Sequence, residues 1–328
     1  MIFNQPLFFE PVLKHYIWGG RNLELLGRNL PAGKMVAESW EISAHDDGKT
    51  KVMNGNFSGK SLQELLENAG EKLVGTKNRW ASERGKFPWL IKLLDANQPL
   101  SVQVHPDDAY AKKHEGNELG KTEMWVVLWA KPDAAIIYGL KKDVEKQEFK
   151  SAIEQGKMES VLNVVPIQAG DHICVPAGTL HAILGGAIIA EIQQNSNTTY
   201  RIYDWGRKDN SGQSRPLHIE KGLDAINFDS TDLKLTPPKL IEKNDQWTKE
   251  LLCDNKYFSI ERIKCHKDSL ISGTCDGSTM EIWGVIDGRA YIQDEELSAV
   301  KFCLLPAVIG DYSVKSSENS TLLRIFSS

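Results

Sequence analysis

Gln103 and His105 stand two residues apart in the segment SVQVHP at 101–106. In an extended chain that spacing turns both side chains to the same face. Glu123 heads the apolar run EMWVV, and His181 follows the turn Pro176-Ala177-Gly178. If the elements carrying them converge, the four offer two imidazoles and two oxygens, a donor set that suits Zn²⁺ with room left for water or a substrate. Mn²⁺, Fe²⁺ or Co²⁺ would fit almost as well, and no H-E-x-x-H stretch narrows the choice. Taken alone, His105 and His181 read more readily as hydrogen-bonded strand and turn residues than as metal ligands.

The elements around these residues have the texture of a mainly β protein. WLIKLLDANQPLSVQVHP at 89–106 reads as strand, turn, strand, and 124–128 and 134–140 read as further strands. IQAGDHICVPAGTLHAI at 167–183 carries the turn chemistry of a small antiparallel barrel. Ser61 followed by Glu64 and an apolar run predicts a capped helix over 61–70, and residues 21–27 and 106–115 predict short helical turns. Within 141–165, Val144, Phe149, Ile153, Met158, Val161 and Leu162 recur at helical spacing, which marks a helical insertion. Pro237-Pro238 and the polar stretch to Glu250 predict a linker.

The chain also echoes itself. Glu123-Met-Trp125 is matched by Glu281-Ile-Trp283, and Pro176-Ala177 with His181 five residues on is matched by Pro306-Ala307 with Asp311 five residues on. Trp125 lies farther from Pro176 than Trp283 does from Pro306, by about the length of the helical insertion. Two copies of one β-barrel unit follow, the second stripped of its histidine. The expected division is a first domain over 1–236, with the insertion at about 141–165, and a degenerate barrel over 237–328 that covers an edge of the first or of a partner.

Composition excludes several classes of function. In 328 residues, 39 Lys and Arg face 44 Asp and Glu for a net charge of −5, so no basic field exists to hold nucleic acid or anionic lipid. The longest weakly polar stretch, Ala182 to Ala190, is far shorter than the roughly 20 residues that cross a bilayer. The start of the chain lacks a basic region followed by an apolar one, and the expected location is the cytoplasm. Five cysteines, an odd number with no C-x-x-C, read as reduced core residues. Of the other histidines, His114 and His172 read as surface or turn residues, and His15, His45, His218 and His266 carry no motif.

QVHPDD at 103–108, KTEMW at 121–125, PAGTLHAI at 176–183 and EIQQNSNTTYRIYDWGR at 191–207 resemble the motifs of type I mannose-6-phosphate isomerases, in particular the shorter bacterial members. YIWGG at 16–20 and AESWE at 37–41 extend the resemblance to the N-terminal region. It implies a cupin fold, two jelly-roll-like barrels with the insertion in the first, one Zn²⁺ per chain, and interconversion of mannose 6-phosphate and fructose 6-phosphate. The implied zinc ligands are Gln103, His105, Glu123 and His181. Lys121, Arg201 and Glu191 match catalytic positions, and Lys92, Trp18 and Glu38 match pocket positions; the implied partner is a sugar phosphate. The plainer readings are a solvent-facing Lys92, a packing Trp18 and an Arg201 paired with Asp204.

Three departures bear on the chemistry. Longer members carry His-Lys-Pro-Glu where this chain has Gly120-Lys121-Thr122-Glu123; a Tyr two residues after the last zinc histidine is Ile183; and Ser-Asp before the Arg is Ser196-Asn197. The proton-transferring base therefore stays open among Lys121, Glu191 and zinc-bound hydroxide. The competing reading is a non-catalytic sugar-binding or regulatory bicupin, and retention of all four ligand positions with Lys121 and Arg201 favours the enzyme. A metal-dependent oxygenase would want an apolar pocket, which the lysines and arginine argue against.

Overall fold

The computed structural model describes residues 1–208 and 212–328. Short alternating or fully apolar segments separated by Gly, Pro and Asn turns fold into a mainly β protein built from two pairs of facing sheets, each pair the flattened form of a jelly roll. The first pair carries the candidate site. Its six-stranded sheet runs in the order His172–Val175, Glu123–Ala130, Ala187–Gln194, Trp89–Ala96, Glu38–Ile42, Val12–Lys14. Its five-stranded sheet runs Leu162–Pro166, Ala135–Leu140, His181–Ile183, Val102–Val104, Tyr200–Tyr203. Leu94, Trp125, Val127 and Ile189 from the first meet Ile136 and Ile183 from the second in the core between them.

In the second pair an eight-stranded sheet faces the four strands Leu270–Cys275, Gly310–Ser316, Arg289–Ile292 and Glu295–Ser298. Trp283, Val285 and Leu322 pack there against Ile292, Leu297 and Val314. The eight-stranded sheet takes in Leu7–Glu10, which pairs with Lys301–Leu305 on one side and Lys51–Val52 on the other. The N-terminal strand is thus hydrogen-bonded into a sheet whose other long strands come from the last ninety residues. The outer faces of the two large sheets bury Ile91, Val126 and Ile192 against Ile260, Ile282 and Ile325, with Leu62, Leu65 and Leu66 of a helix between them.

That helix, Leu62–Ala69, opens with the predicted capping box: the Ser61 hydroxyl accepts from the Glu64 amide while the Glu64 carboxylate accepts from the Ser61 amide. The insertion is helical over Lys146–Glu154, and with Phe149 and Ala152 it covers the outside of the five-stranded sheet. Residues 106–115 hold the helix Asp108–His114, begun by the Asp107 side chain accepting from the Tyr110 amide.

Three expectations are corrected. The stretch after Pro238 is no linker: Lys239–Lys243 and Trp247–Asp254 form a hairpin at the sheet edge, polar because the outer strand is exposed at every position and the inner one is largely half-buried. His172 is buried, because the outer face of its strand packs near Arg262, whose guanidinium donates to the Gly170 carbonyl. Cys174 and Cys253 are paired as a disulfide that joins the two sheet pairs, whereas Cys265, Cys275 and Cys303 are buried free thiols. Only the docking of two distant strands brings those two sulfurs together. No helix among the described residues is long and apolar enough to cross a membrane.

Candidate metal centre and its cavity

Strand register assembles the site as two facing rows. On the five-stranded sheet His181 pairs with Gln103 and Gln103 with Arg201, one row across three strands. On the six-stranded sheet Trp125 pairs with Glu191, Glu191 with Lys92 and Lys92 with Trp40. Glu123 lies two residues before Trp125 and Lys121 two before Glu123, so alternation turns all three toward the same side. His105, just past its strand, shares the face of Gln103. Lys92 and Glu191 sit in strands buried at every position, since one face carries the site together with the inter-sheet core and the other packs against the second sheet pair. The solvent-facing reading of Lys92 therefore fails.

At the floor, Glu123 is fully buried between two imidazoles, its Oε1 3.2 Å from His105 Nε2 and its Oε2 3.6 Å from His181 Nε2. Each imidazole directs Nδ1 at a carbonyl, His105 to Thr198 and His181 to Thr179, both at 2.8 Å. A carbonyl only accepts, so Nδ1 carries the proton and Nε2 presents a lone pair inward. Burial, with the Lys121 ammonium nearby, lowers His105 to about 3; burial likewise lowers His181. Burial works against ionisation of Glu123, but the nearby Lys121 outweighs it and holds the carboxyl well below the usual range. Its Oε1 accepts no well-aligned hydrogen bond, although Lys121 Nζ lies 2.5 Å away. Two unprotonated imidazoles, a carboxylate and an under-satisfied buried oxygen form a donor set fit for a divalent cation. Gln103 reaches the same point, its amide 3.3 Å from His181 Nε2.

Above this floor opens a cavity of about 290 Å³ lined by Trp18, Glu38, Lys92, Gln103, Lys121, Glu191 and Arg201. All the pocket residues expected from the sequence share it. Lys92 Nζ lies between Glu38 at 3.6 Å and Glu191 at 3.5 Å, and over the Trp40 ring. Burial disfavours its charge, but Glu38 and Glu191 outweigh that and raise it, so Lys92 stays an ammonium. Burial and the nearby Glu123 push the Glu191 carboxyl up to about 7, against the pull of Lys92. Trp125 Nε1 donates to both Glu191 Oε2 and Glu123 Oε2 and ties the two carboxylates together.

Arg201 is held by Ser101 Oγ and the Pro216 carbonyl. It is not paired with Asp204, which instead binds Arg215 and Arg207. The Asp204 carboxylate has two guanidiniums already, and strand alternation turns Arg201 away from it into the cavity. Arg215 and His218 also line the wall and were missed by sequence reasoning. The signal for them was the cation and imidazole flanking the turn-forming Pro216. The second sheet pair keeps the echo of the floor without its metal donors: Trp283 Nε1 donates to Glu281 as Trp125 does to Glu123, but Arg324 and the Tyr312 hydroxyl fill the place of the histidines.

A buried His, Glu, His cluster beneath a cavity lined by lysines and arginines, in a double jelly roll, has the donors of a candidate metal centre and the cations to receive an anionic polar ligand. The family model for the catalytic domain of phosphomannose isomerase type I matches residues 7–124. Over 323 residues the chain is 39% identical to a probable mannose-6-phosphate isomerase of Bacillus subtilis, spanning 95% of this chain and 96% of that one. A mannose-6-phosphate isomerase of the same organism is 42% identical over 288 residues, 85% of this chain and 88% of the relative. The crystal structure of the mannose 6-phosphate isomerase from Bacillus subtilis superposes with a TM-score of 0.86 at 35% identity, covering 98% of this chain and 99% of that one. The chain belongs to the type I phosphomannose isomerase family.

Proposed function

We propose that the chain interconverts mannose 6-phosphate and fructose 6-phosphate, with one Zn²⁺ held by Gln103, His105, Glu123 and His181. The observation that carries this is the convergence of two unprotonated imidazole nitrogens on a buried carboxylate under a cavity with arginines in its wall. Rotation of the Gln103 amide exchanges its nitrogen for Oε1, the atom that binds a cation. Zn²⁺ at this point would supply a Lewis acid for the negative charge that develops on the sugar as a proton leaves carbon.

The chain's own residues do the rest. Arg201, with Arg215 beside it, presents a fork suited to the three oxygens of a phosphate. Lys121, buried at the floor, adds a positive charge where the enediolate forms, and fixed donors of that kind are worth about 10²–10³ in rate. Glu191 moves the proton between C1 and C2: its carboxyl lines the cavity and titrates near neutrality, where a base is both ionised and able to give the proton back. Lys92 and Glu38 bind sugar hydroxyls, and Trp18 closes the wall.

Purified protein is expected to convert mannose 6-phosphate to fructose 6-phosphate, to lose that activity with its metal on chelation, and to regain it with zinc. Stoichiometric zinc without turnover would return the chain to the sugar-binding reading, and an absence of metal would sink the ligand assignment.

A further inference from the structure

We propose that Tyr257, carried by the second sheet pair, is a positioning residue for Lys121 and acts through Asp108; this rests on the catalytic role proposed above for Lys121. Three consecutive amides hold the segment that carries Lys121. The Gly120 amide donates to Asp108 Oδ1 at 2.9 Å, the Lys121 amide to the Pro106 carbonyl at 3.0 Å, and the Thr122 amide to Gln194 Oε1 at 2.9 Å. Asp108 Oδ1 also accepts from Gln194 Nε2 at 3.0 Å, so one carboxylate oxygen joins two of the three anchors. Its other oxygen accepts from the Tyr257 hydroxyl at 2.6 Å.

Gly120 makes the arrangement possible, because a Cβ there would fall 2.5 Å from the Asp107 carbonyl carbon and the Asp108 nitrogen. Tyr257 is itself fixed. Its amide donates to Asn255 Oδ1, and its carbonyl accepts from Trp89 Nε1 of the six-stranded sheet at 3.0 Å. Burial works against ionisation of Asp108, yet the Tyr257 hydroxyl, the Gly120 amide and Gln194 hold it below its ordinary value, as expected of an anion serving as a hub. The turn 255–258 thus reaches from the second sheet pair to within two hydrogen bonds of the Lys121 backbone. The echo unit, without metal donors of its own, completes the site of the first.

Tyr257→Phe removes one hydroxyl and leaves the ring. Losing a hydrogen bond to a charged group at this hub is expected to lower kcat about 10-fold with KM within about two-fold. Amide exchange at 120–122, followed by mass spectrometry without substrate, should quicken while the rest of the six-stranded sheet keeps its protection. Asp108→Asn should show the same pattern, and adding Tyr257→Phe to Lys121→Met should cost no further rate. Unchanged exchange at 120–122, full kcat in Tyr257→Phe, or a rate loss that adds in full to that of Lys121→Met would each overturn the proposal. If the wild-type chain proved inert toward mannose 6-phosphate, the reaction would fall, and the exchange difference would still decide whether Tyr257 sets this segment.

Discussion

His181 and Arg201 share a row with Gln103 but hold different charges of the site, so their variants should separate. His181→Ala removes one of two inward lone pairs and is expected to lose bound metal and turnover together, read by metal analysis on the assayed sample. Arg201→Ala leaves the floor intact and should retain metal while kcat/KM falls about 10²-fold or more, the scale of a lost charge-assisted contact in a desolvated site. Full kcat/KM in that variant would remove Arg201 from the phosphate site. Glu191→Gln keeps the hydrogen bond to Trp125 and the volume of the side chain but cannot take a proton. It should keep metal and substrate binding, lose turnover by about 10²–10⁴-fold, and stop exchange of the C2 hydrogen with solvent deuterium. Persistent exchange would pass the base role to another group.

At the scale of elements, the cavity wall depends on how Arg201 and Arg215 are held. Asp204 accepts from Arg215 at 2.8 and 2.5 Å and pairs with Arg207 at 2.5 Å, fastening the turn beyond strand Tyr200–Tyr203. Burial raises the Asp204 carboxyl, but the two guanidiniums outweigh it and hold it below its ordinary value. A carboxylate lowered on folding contributes stability that is present above its unfolded value, about 3.9, and lost as pH falls through the folded one. Asp204→Asn should reproduce that acid loss at neutral pH, raising KM for the sugar phosphate more than it lowers kcat. An unchanged KM would show that the Asp204 pairs do not shape the wall. The elements themselves were largely legible. The Ser61 capping box, the insertion helix and the strands around Glu123 and His181 follow from local pattern, because capping and alternation are short-range physics. The hairpin after Pro238 was not legible, since its polar strands find their order only by pairing with Ser259–Cys265.

For the whole molecule, the echo of Glu123 in Glu281 sets the proposed metal and a guanidinium as alternative partners for two equivalent buried carboxylates. Arg324 binds Glu281 through two nitrogens at 2.8 and 2.6 Å. Arg324→Leu leaves Glu281 buried with only the Tyr312 hydroxyl and Trp283 as donors, and breaking one side of a buried pair costs about 3–5 kcal/mol. A clear fall in Tm with metal content unchanged is the expected result. A Tm within experimental scatter of the parent would mean that the two donors suffice.

The donor types, the same-face spacing of Gln103 and His105, the mainly β texture and the internal echo were all determined by the sequence, because each rests on neighbours along the chain. The resemblance of its ordered motifs pointed to the pocket set, and the fold brings every member of that set to one cavity. Tertiary structure alone decided the rest. Lys92 became a buried ammonium between two carboxylates, Asp204 took Arg215 and Arg207 in place of Arg201, and Arg215 and His218 entered the wall. Cys174 met Cys253, and Tyr257 reached Asp108. Each of these is a contact between segments far apart in the chain, set by sheet register and by the docking of two sheet pairs. No local pattern encodes which distant residue a side chain will meet.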